Sequence, residues 1–198
     1  MFFRNKNSIL KKFGVKEKDF TEIVDSNPSL RGMILGYVAE KKFQDQFLHV
    51  PGVEEVKKDD DHDRSRKGDR RIRYFGKEFL IEVKSIQSNS VKKNPDGTYV
   101  GKAQVDASDS RNVVFPDGSE LKTTCLLRDE FDILAVNLFA FTGKWDFVFI
   151  KNKDLPQNKF RKYSEYQQSH LLPTSIPVTY PSEKPFENDL RVVLNSYF

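Results

Sequence analysis

The chain has almost no cysteine and little histidine. Cys125 stands alone among 198 residues, so no internal disulfide can form, which fits a reducing cytoplasm. His49, His62 and His170 are scattered, with neither an HExxH pair nor a Cys/His zinc spacing. The glycine-rich Lys-Ser/Thr loop that cradles nucleotide phosphates is missing, which argues against ATP use. No Gly-x-Ser-x-Gly elbow offers a serine nucleophile. No apolar run approaches the roughly 18 residues of a membrane span. The opening Met1-Phe2-Phe3-Arg4-Asn5-Lys6 has no apolar signal core, so neither export nor membrane association is expected. No internal repeat and no low-complexity linker is present.

What remains is a chain built to fold. It carries 17 Phe, 7 Tyr and 1 Trp, with 37% hydrophobic and 31% charged residues; a disordered chain lacks such aromatics. Its length suits one domain, able to hide roughly 70% of its unfolded surface. The net charge is +4 and the pI about 9.0, a basic bias compatible with a phosphate-bearing partner.

Residues 8–26 read as one or two short helices, ended by Asn27-Pro28. Ser29 is a plausible N-cap for a helix from Leu30 to about Leu48. Met33, Ile34, Tyr37, Val38, Phe43 and Phe47 recur along it near the helical period. Val53 to Val56 reads as a short strand. A charged loop, Lys57 to Gly68, follows. Its run Asp59-Asp60-Asp61-His62-Asp63 lacks the Gly and distal Glu of a calcium loop, and reads as a flexible acidic segment. Asp63 is a fallback acid for the site described next.

The most informative segment is Asp69 to Ser85. Two strand-like runs flank Gly76-Lys77, and glycine first in a two-residue loop favours a type II′ hairpin. That turn sets Asp69 opposite Lys84 and Arg71 opposite Glu82. One face then carries Arg70, Ile72 and Tyr74 with Phe79, Ile81 and Val83, a core face. The other carries Asp69, Arg71, Arg73 and Phe75 with Glu78, Leu80, Glu82 and Lys84. A one-residue slip would scramble this sorting. An acidic pair and an ammonium therefore gather at adjacent strand ends. Two carboxylates can hold Mg²⁺, which takes oxygen ligands. Such an ion polarises a phosphoryl group and acidifies a bound water. A lysine beside it can orient or deprotonate that water, or stabilise the developing charge. The same residues would also serve an ordinary solvated sheet face with cross-strand ion pairs.

Asp69, a 12-residue interval, then Glu82-Val83-Lys84 resembles the PD-(D/E)XK nuclease signature, with Gly68 where the named proline would stand. The apolar run Phe79-Leu80-Ile81 before Glu82 and the preceding helix strengthen the resemblance, which covers about residues 30–150. It implies an α/β fold with a restriction-endonuclease-like core, a central mixed β-sheet flanked by helices. It implies one nuclease domain over 1–198, with 151–198 an irregular C-terminal extension. The implied catalytic residues are Asp69, Glu82, Lys84 and a helix acid, Glu40. The implied metal ligands are Asp69, Glu82 and Val83, holding Mg²⁺. The activity is then endonucleolytic cleavage of double-stranded DNA at a specific sequence, as in type II restriction enzymes. Such enzymes work as homodimers beside a methyltransferase of the same site. A structure- or mismatch-directed repair nuclease, and a non-catalytic DNA-binding protein on the same fold, are the alternatives.

Downstream, Asn94-Pro95-Asp96-Gly97 is a turn leading to Thr98–Asp106, extended. Gln104 there is a candidate support for the site, or a solvated strand residue. A second hairpin turns at Asp117-Gly118, decorated by Ser108, Asp109, Arg111, Asn112 and Lys122. Arg and Asn read guanine and adenine edges, so this ribbon and the hairpin arginines Arg71 and Arg73 are candidate DNA contacts; the bland reading is a surface hairpin. Phe131 to Phe139 is nearly all apolar, which predicts a buried central strand. Trp145 to Ile150 predicts its neighbour. Residues 151–198, rich in proline, read as irregular with a short helix near Glu187 to Tyr197.

Overall fold

The structure, a computed structural model, describes residues 8–58, 68–107 and 109–198. The acidic run 59–63, with Asp63, and Ser108 lie outside the described residues. The chain divides into two compact units, Met1–Val38 and Ala39–Phe198. The first unit holds α1 (Ile9–Phe13), α2 (Glu17–Ser26) and the start of α3 (Pro28–Phe47). The Ser8 hydroxyl caps α1 by accepting from Lys11 N, and Gly14 ends it at φ 65°. Neither α1 nor α2 buries a residue. Helix α3 opens on Pro28 itself rather than behind a Ser29 cap. Proline's fixed φ and missing N–H suit the first helical position.

The second unit continues with β1 (Val53–Lys57), β2 (Arg70–Tyr74), β3 (Lys77–Ser85), β4 (Lys92–Lys93) and β5 (Tyr99–Gln104). Next come β6 (Arg111–Val114), β7 (Glu120–Thr123), β8 (Ile133–Asn137) and α4 (Phe139–Thr142). The chain ends through β9 (Phe147–Lys151), α5 (Glu165–His170), β10 (Ser175–Tyr180) and α6 (Leu190–Asn195). The central sheet has the order β1-β2-β3-β8-β9. Only β3 and β8 run parallel; their neighbours are antiparallel. This is a mixed α/β fold.

All five residues of β8 are buried, as its apolar run predicts for a strand covered on both faces. Strand alternation splits its side chains. Ile133 and Ala135 join Ala39 and Phe43 of α3 and Leu190 and Leu194 of α6 in one core. Leu134 and Val136 join Ala103 of β5 and Ile176 and Val178 of β10 in the other. The second core is covered by a smaller sheet, ordered β10-β5-β4. The proline-rich segment expected to be irregular therefore carries a strand, β10, paired over its whole length with β5. The β6–β7 ribbon forms as predicted, around Asp117-Gly118.

The β2–β3 hairpin turns one residue earlier than expected. Its loop is Phe75-Gly76, with φ 45° and 77°, the double positive φ of a type I′ turn. Arg71 faces Leu80, and Arg70 faces Ile81; the expected pairs Arg71–Glu82 and Asp69–Lys84 do not form. The cause lies outside the hairpin: Phe75 N donates to Gly52 O at 3.1 Å, and Gly76 N donates to a Glu54 carboxylate oxygen at 2.8 Å. The register moves by two residues, so each side chain keeps its predicted face. Arg71 now ion-pairs with Glu78.

Phe79 is fully buried and meets the Tyr197 ring edge-on at 5.1 Å. Phe79→Ala should cost about 3–5 kcal/mol, measurable by urea denaturation. A loss below about 1 kcal/mol would contradict this account of the core.

Candidate active site

Strand β3 changes partners along its length. Its pairing with β2 ends at Arg70–Ile81, and Asp69 N adds a last bond to Ile81 O at 2.9 Å. Farther on, Ile86 bridges Ala103 at the end of β5. Between these points, over Glu82–Ser85, no strand among the described residues pairs with this edge, while β8 still holds the other. Strand parity places Leu80, Glu82 and Lys84 on the face away from Phe79, Ile81 and Val83.

Three predicted residues meet at this gap. The Lys84 ammonium lies 2.7 Å from Glu82 Oε1. Val83 N donates to Asp69 Oδ2 at 2.8 Å, which bridges the gap and fixes the carboxylate beside Glu82. Strand alternation turns the Val83 carbonyl to the same edge as its N–H. Gly68 sets the angle from which Asp69 enters. Its φ is 77°, and an added Cβ would sit 3.2 Å from Ile81 O. Proline is locked near −65° and cannot occupy this position.

Glu40 sits on the other side of the sheet. Its Oε2 is 3.0 Å from Arg70 Nη1 and 3.2 Å from Lys58 Nζ. Arg70, only 4% exposed, also donates from Nη1 to Asp69 O at 2.8 Å. Arg70 thus links Glu40 to the Asp69 backbone, and the Glu40 charge also acts on the Asp69 carboxylate. The sequence placed Arg70 on the core face without assigning it a role. An arginine alternating with Ile72 and Tyr74 was the available signal, since a buried charge is rarely kept without a partner.

The electrostatics follow from burial. Glu82 is 8% exposed. Desolvation first, then the Asp69 charge, push its carboxyl from the ordinary 4.5 up to about 7, against the pull of Lys84. Burial likewise raises Asp69, opposed by Lys84 and reinforced by Glu40. Burial pulls the Lys84 ammonium down, but the Glu82 and Asp69 charges outweigh it, and its pKa is raised. Glu130 adds to the pressure on Glu82.

The candidate DNA contacts are less gathered. Arg71 is held by Glu78, and Arg73 is exposed opposite Glu78 on β2. Gln104 accepts from Gln87 Nε2 at 3.3 Å. Arg111 ion-pairs with Glu130, and Asn112 Nδ2 donates to Glu120 Oε2 at 3.1 Å. Asp109 and Lys122 are exposed. Asp106, which sequence reasoning passed over, lies near enough to Lys84 to influence its charge.

No described group of three or more His, Cys, Asp or Glu forms a metal cluster. A cation would rest on the Asp69 and Glu82 carboxylates and the Val83 carbonyl. That all-oxygen set suits Mg²⁺, which binds through one or two carboxylates and keeps several waters. The buried Glu82 carboxylate and the half-buried Asp69 carboxylate beside it are also the charge a divalent cation would neutralise. The residues fit the ion. No described helix is long and apolar enough to cross a membrane.

No family model matches the chain, and no curated protein matches it. Among solved structures it is similar to a bacterial homing endonuclease, I-Ssp6803I, at TM-score 0.38 and 16% identity, over 68% of this chain and 85% of that one.

Two outcomes are expected. Gly68→Ala should cost about 1–2 kcal/mol for the left-handed φ, read by denaturant titration; an unchanged midpoint would show that the entry angle is not constrained. The second concerns pH. A carboxyl raised on folding contributes stability that is fully present below its unfolded pKa near 4.5 and lost as pH rises through about 7. In EDTA the melting temperature should fall between those values, and Glu82→Gln should flatten the slope. Equal slopes in both proteins would remove Glu82 as the cause.

Proposed function

We propose that the protein is a metal-dependent phosphodiester hydrolase acting on DNA. More particularly, it is an endonuclease of the PD-(D/E)XK kind, cutting double-stranded DNA at a specific sequence as type II restriction enzymes do. The observation that carries this reading is the convergence at one unpaired stretch of β3: Asp69 tied to Val83 N at 2.8 Å, and Lys84 2.7 Å from Glu82. A solvated ion-pair face would expose these groups, whereas Glu82 is 8% exposed.

Mg²⁺ held by Asp69, Glu82 and the Val83 carbonyl would supply phosphoryl polarisation and a water of lowered pKa. The chain's own groups do the rest. The Val83 amide and the Arg70–Glu40 pair hold Asp69 from the side chain and the backbone respectively. Lys84, kept charged by its carboxylate neighbours, acts as a donor, orienting the attacking water or stabilising the charge that grows on the phosphoryl oxygens. The burial of the site strengthens each of these interactions. Arg73 and Lys122 are exposed cations of the kind that contact phosphates. Cleavage of both strands calls for two copies of the site, hence a homodimer, and a sequence-specific enzyme calls for a methyltransferase protecting the same site.

A second reading draws on the ribbon. Arg111 and Asn112 are engaged by Glu130 and Glu120, and must leave them to read bases. That favours a repair nuclease directed by DNA structure rather than by sequence.

Phage-length DNA incubated with Mg²⁺ should give a ladder of discrete fragments, abolished by EDTA. Asp69→Asn should abolish it while leaving DNA binding in Ca²⁺ intact, and Lys84→Ala should lower the rate about 10²–10³-fold. Cleavage confined to branched or mismatched duplexes would select the repair reading. Intact DNA across substrates and metals would sink the nuclease claim.

A further inference from the structure

One stretch near the C-terminal end interleaves cations with aromatics: Lys159-Phe160-Arg161-Lys162-Tyr163. It forms a turn whose backbone is held at several points. Tyr163 N donates to Phe160 O at 3.0 Å. Gln168 Nε2 donates to Phe160 O at 3.1 Å and to Tyr163 O at 2.9 Å. The buried Asn158 accepts from Phe160 N at 2.8 Å and donates to Leu172 O at 2.9 Å. The Tyr163 hydroxyl meets Thr123 Oγ1 at 2.8 Å. On this fixed turn Phe160 stands 53% exposed, with Lys159, Arg161 and Lys162 exposed around it. Arg71 and Arg111 have carboxylate partners. Among the described residues, none of these three cations has a carboxylate within ion-pair distance.

Phe160, Tyr163 and Pro173 also line a cavity of about 460 Å³, whose polar wall includes Thr174 and Ser175. That volume suits a small ligand, and the two hydroxyls can donate or accept. The cavity is tied to the candidate active site. Ser175 pairs with Gln104 on β5, and the adjacent Ala103 bridges Ile86, two residues beyond Lys84. Two strand spacings, about 10 Å, separate β10 from β3 along this path. Leu80, on the Glu82 and Lys84 face of β3, packs into the core beneath β5 and β10. The sheet that carries the cavity therefore covers the face of β3 that carries the site.

We infer that this turn and its cavity dock an unpaired nucleobase: Phe160 stacks on the base, and Lys159, Arg161 and Lys162 contact the flanking phosphates. Three cations without carboxylate partners call for a polyanion. An aromatic ring held in the open among them suits a base, since every base has a π-face. An acidic peptide would satisfy the cations and leave the ring unused. The inference rests on the reading of the protein as acting on DNA, and adds what it holds beside the site. The base is either already unpaired in the substrate or extruded from a duplex; the contact chemistry is the same.

The test uses the full chain in Ca²⁺, with two labelled DNA duplexes of one sequence, one fully paired and one carrying a single bulged adenine. Phe160→Ala should weaken binding of the bulged duplex about 5–100-fold by fluorescence anisotropy. Phe160→Trp should keep the affinity, and the bulged duplex should quench its added indole emission relative to wild type. Replacing Lys159, Arg161 and Lys162 together by Gln should lower the slope of log affinity against log salt by about 2–3. A Phe160 effect on the bulged duplex alone would show a base supplied unpaired; an equal effect on both duplexes would show extrusion.

A Phe160→Ala affinity within about twofold of wild type would overturn the inference, and would leave the nuclease reading standing if Mg²⁺-dependent cleavage is retained. Tighter binding of a polyglutamate peptide than of either duplex would overturn it in favour of an acidic protein partner. A wild type that binds neither duplex would overturn it together with the DNA reading. Phe160-dependent binding without cleavage of any substrate would uphold the dock and remove the nuclease reading. Melting curves of Phe160→Ala should match wild type; an unfolded variant would make the ring structural and overturn the inference as well.

Discussion

Two carboxylates shielded from water beside one another repel, and the local structure around β3 is arranged to hold Asp69 and Glu82 together despite it. Burial and mutual charge drive the Glu82 carboxyl up to about 7. The pair persists because the surroundings over-determine it. Lys84 supplies a compensating charge at 2.7 Å. The Val83 amide binds Asp69 directly. Arg70, itself buried against Glu40, grips the Asp69 carbonyl from the opposite face of the sheet. A buried ion pair of that kind contributes little net stability once desolvation is counted. Its role here is positional: it fixes where a strand ends.

The gap in backbone pairing beside these groups is a consequence of topology. Strand β3 is held by β8, running parallel to it through Ile81–Ser85. Asp132 reinforces the start of that pairing: its carboxylate accepts from Leu80 N at 2.7 Å and its own N–H donates to Leu80 O at 2.8 Å. With one edge secured, the other can go unpaired for a few residues without losing the strand. Unpaired backbone at a sheet edge is available to a ligand in a way that ladder-bonded backbone is not. The Val83 carbonyl gains its candidate role from this arrangement.

The ribbon and the hairpin arginines show the opposite case. Most of their polar side chains have found partners within the protein, Arg111 with Glu130 and Arg71 with Glu78. Glu130 connects the ribbon to the site, because it holds Arg111 while raising Glu82.

The sequence by itself determined the alternation of β2 and β3, the buried run of β8, the ribbon turning at Asp117-Gly118, and the grouping of Asp69, Glu82 and Lys84. These rest on periods of two and on local turn chemistry, which neighbours in sequence settle. Face assignment survived a misplaced turn because a shift of two residues preserves parity. The tertiary structure alone decided the register, since Gly52 and Glu54 of the β1 region bind the turn. It alone paired Glu40 with Arg70, close enough to Asp69 for its charge to be felt there. It alone converted the proline-rich end into a strand against β5. Each of these depends on which distant segment supplies a hydrogen bond or a charge, and no local period encodes that choice.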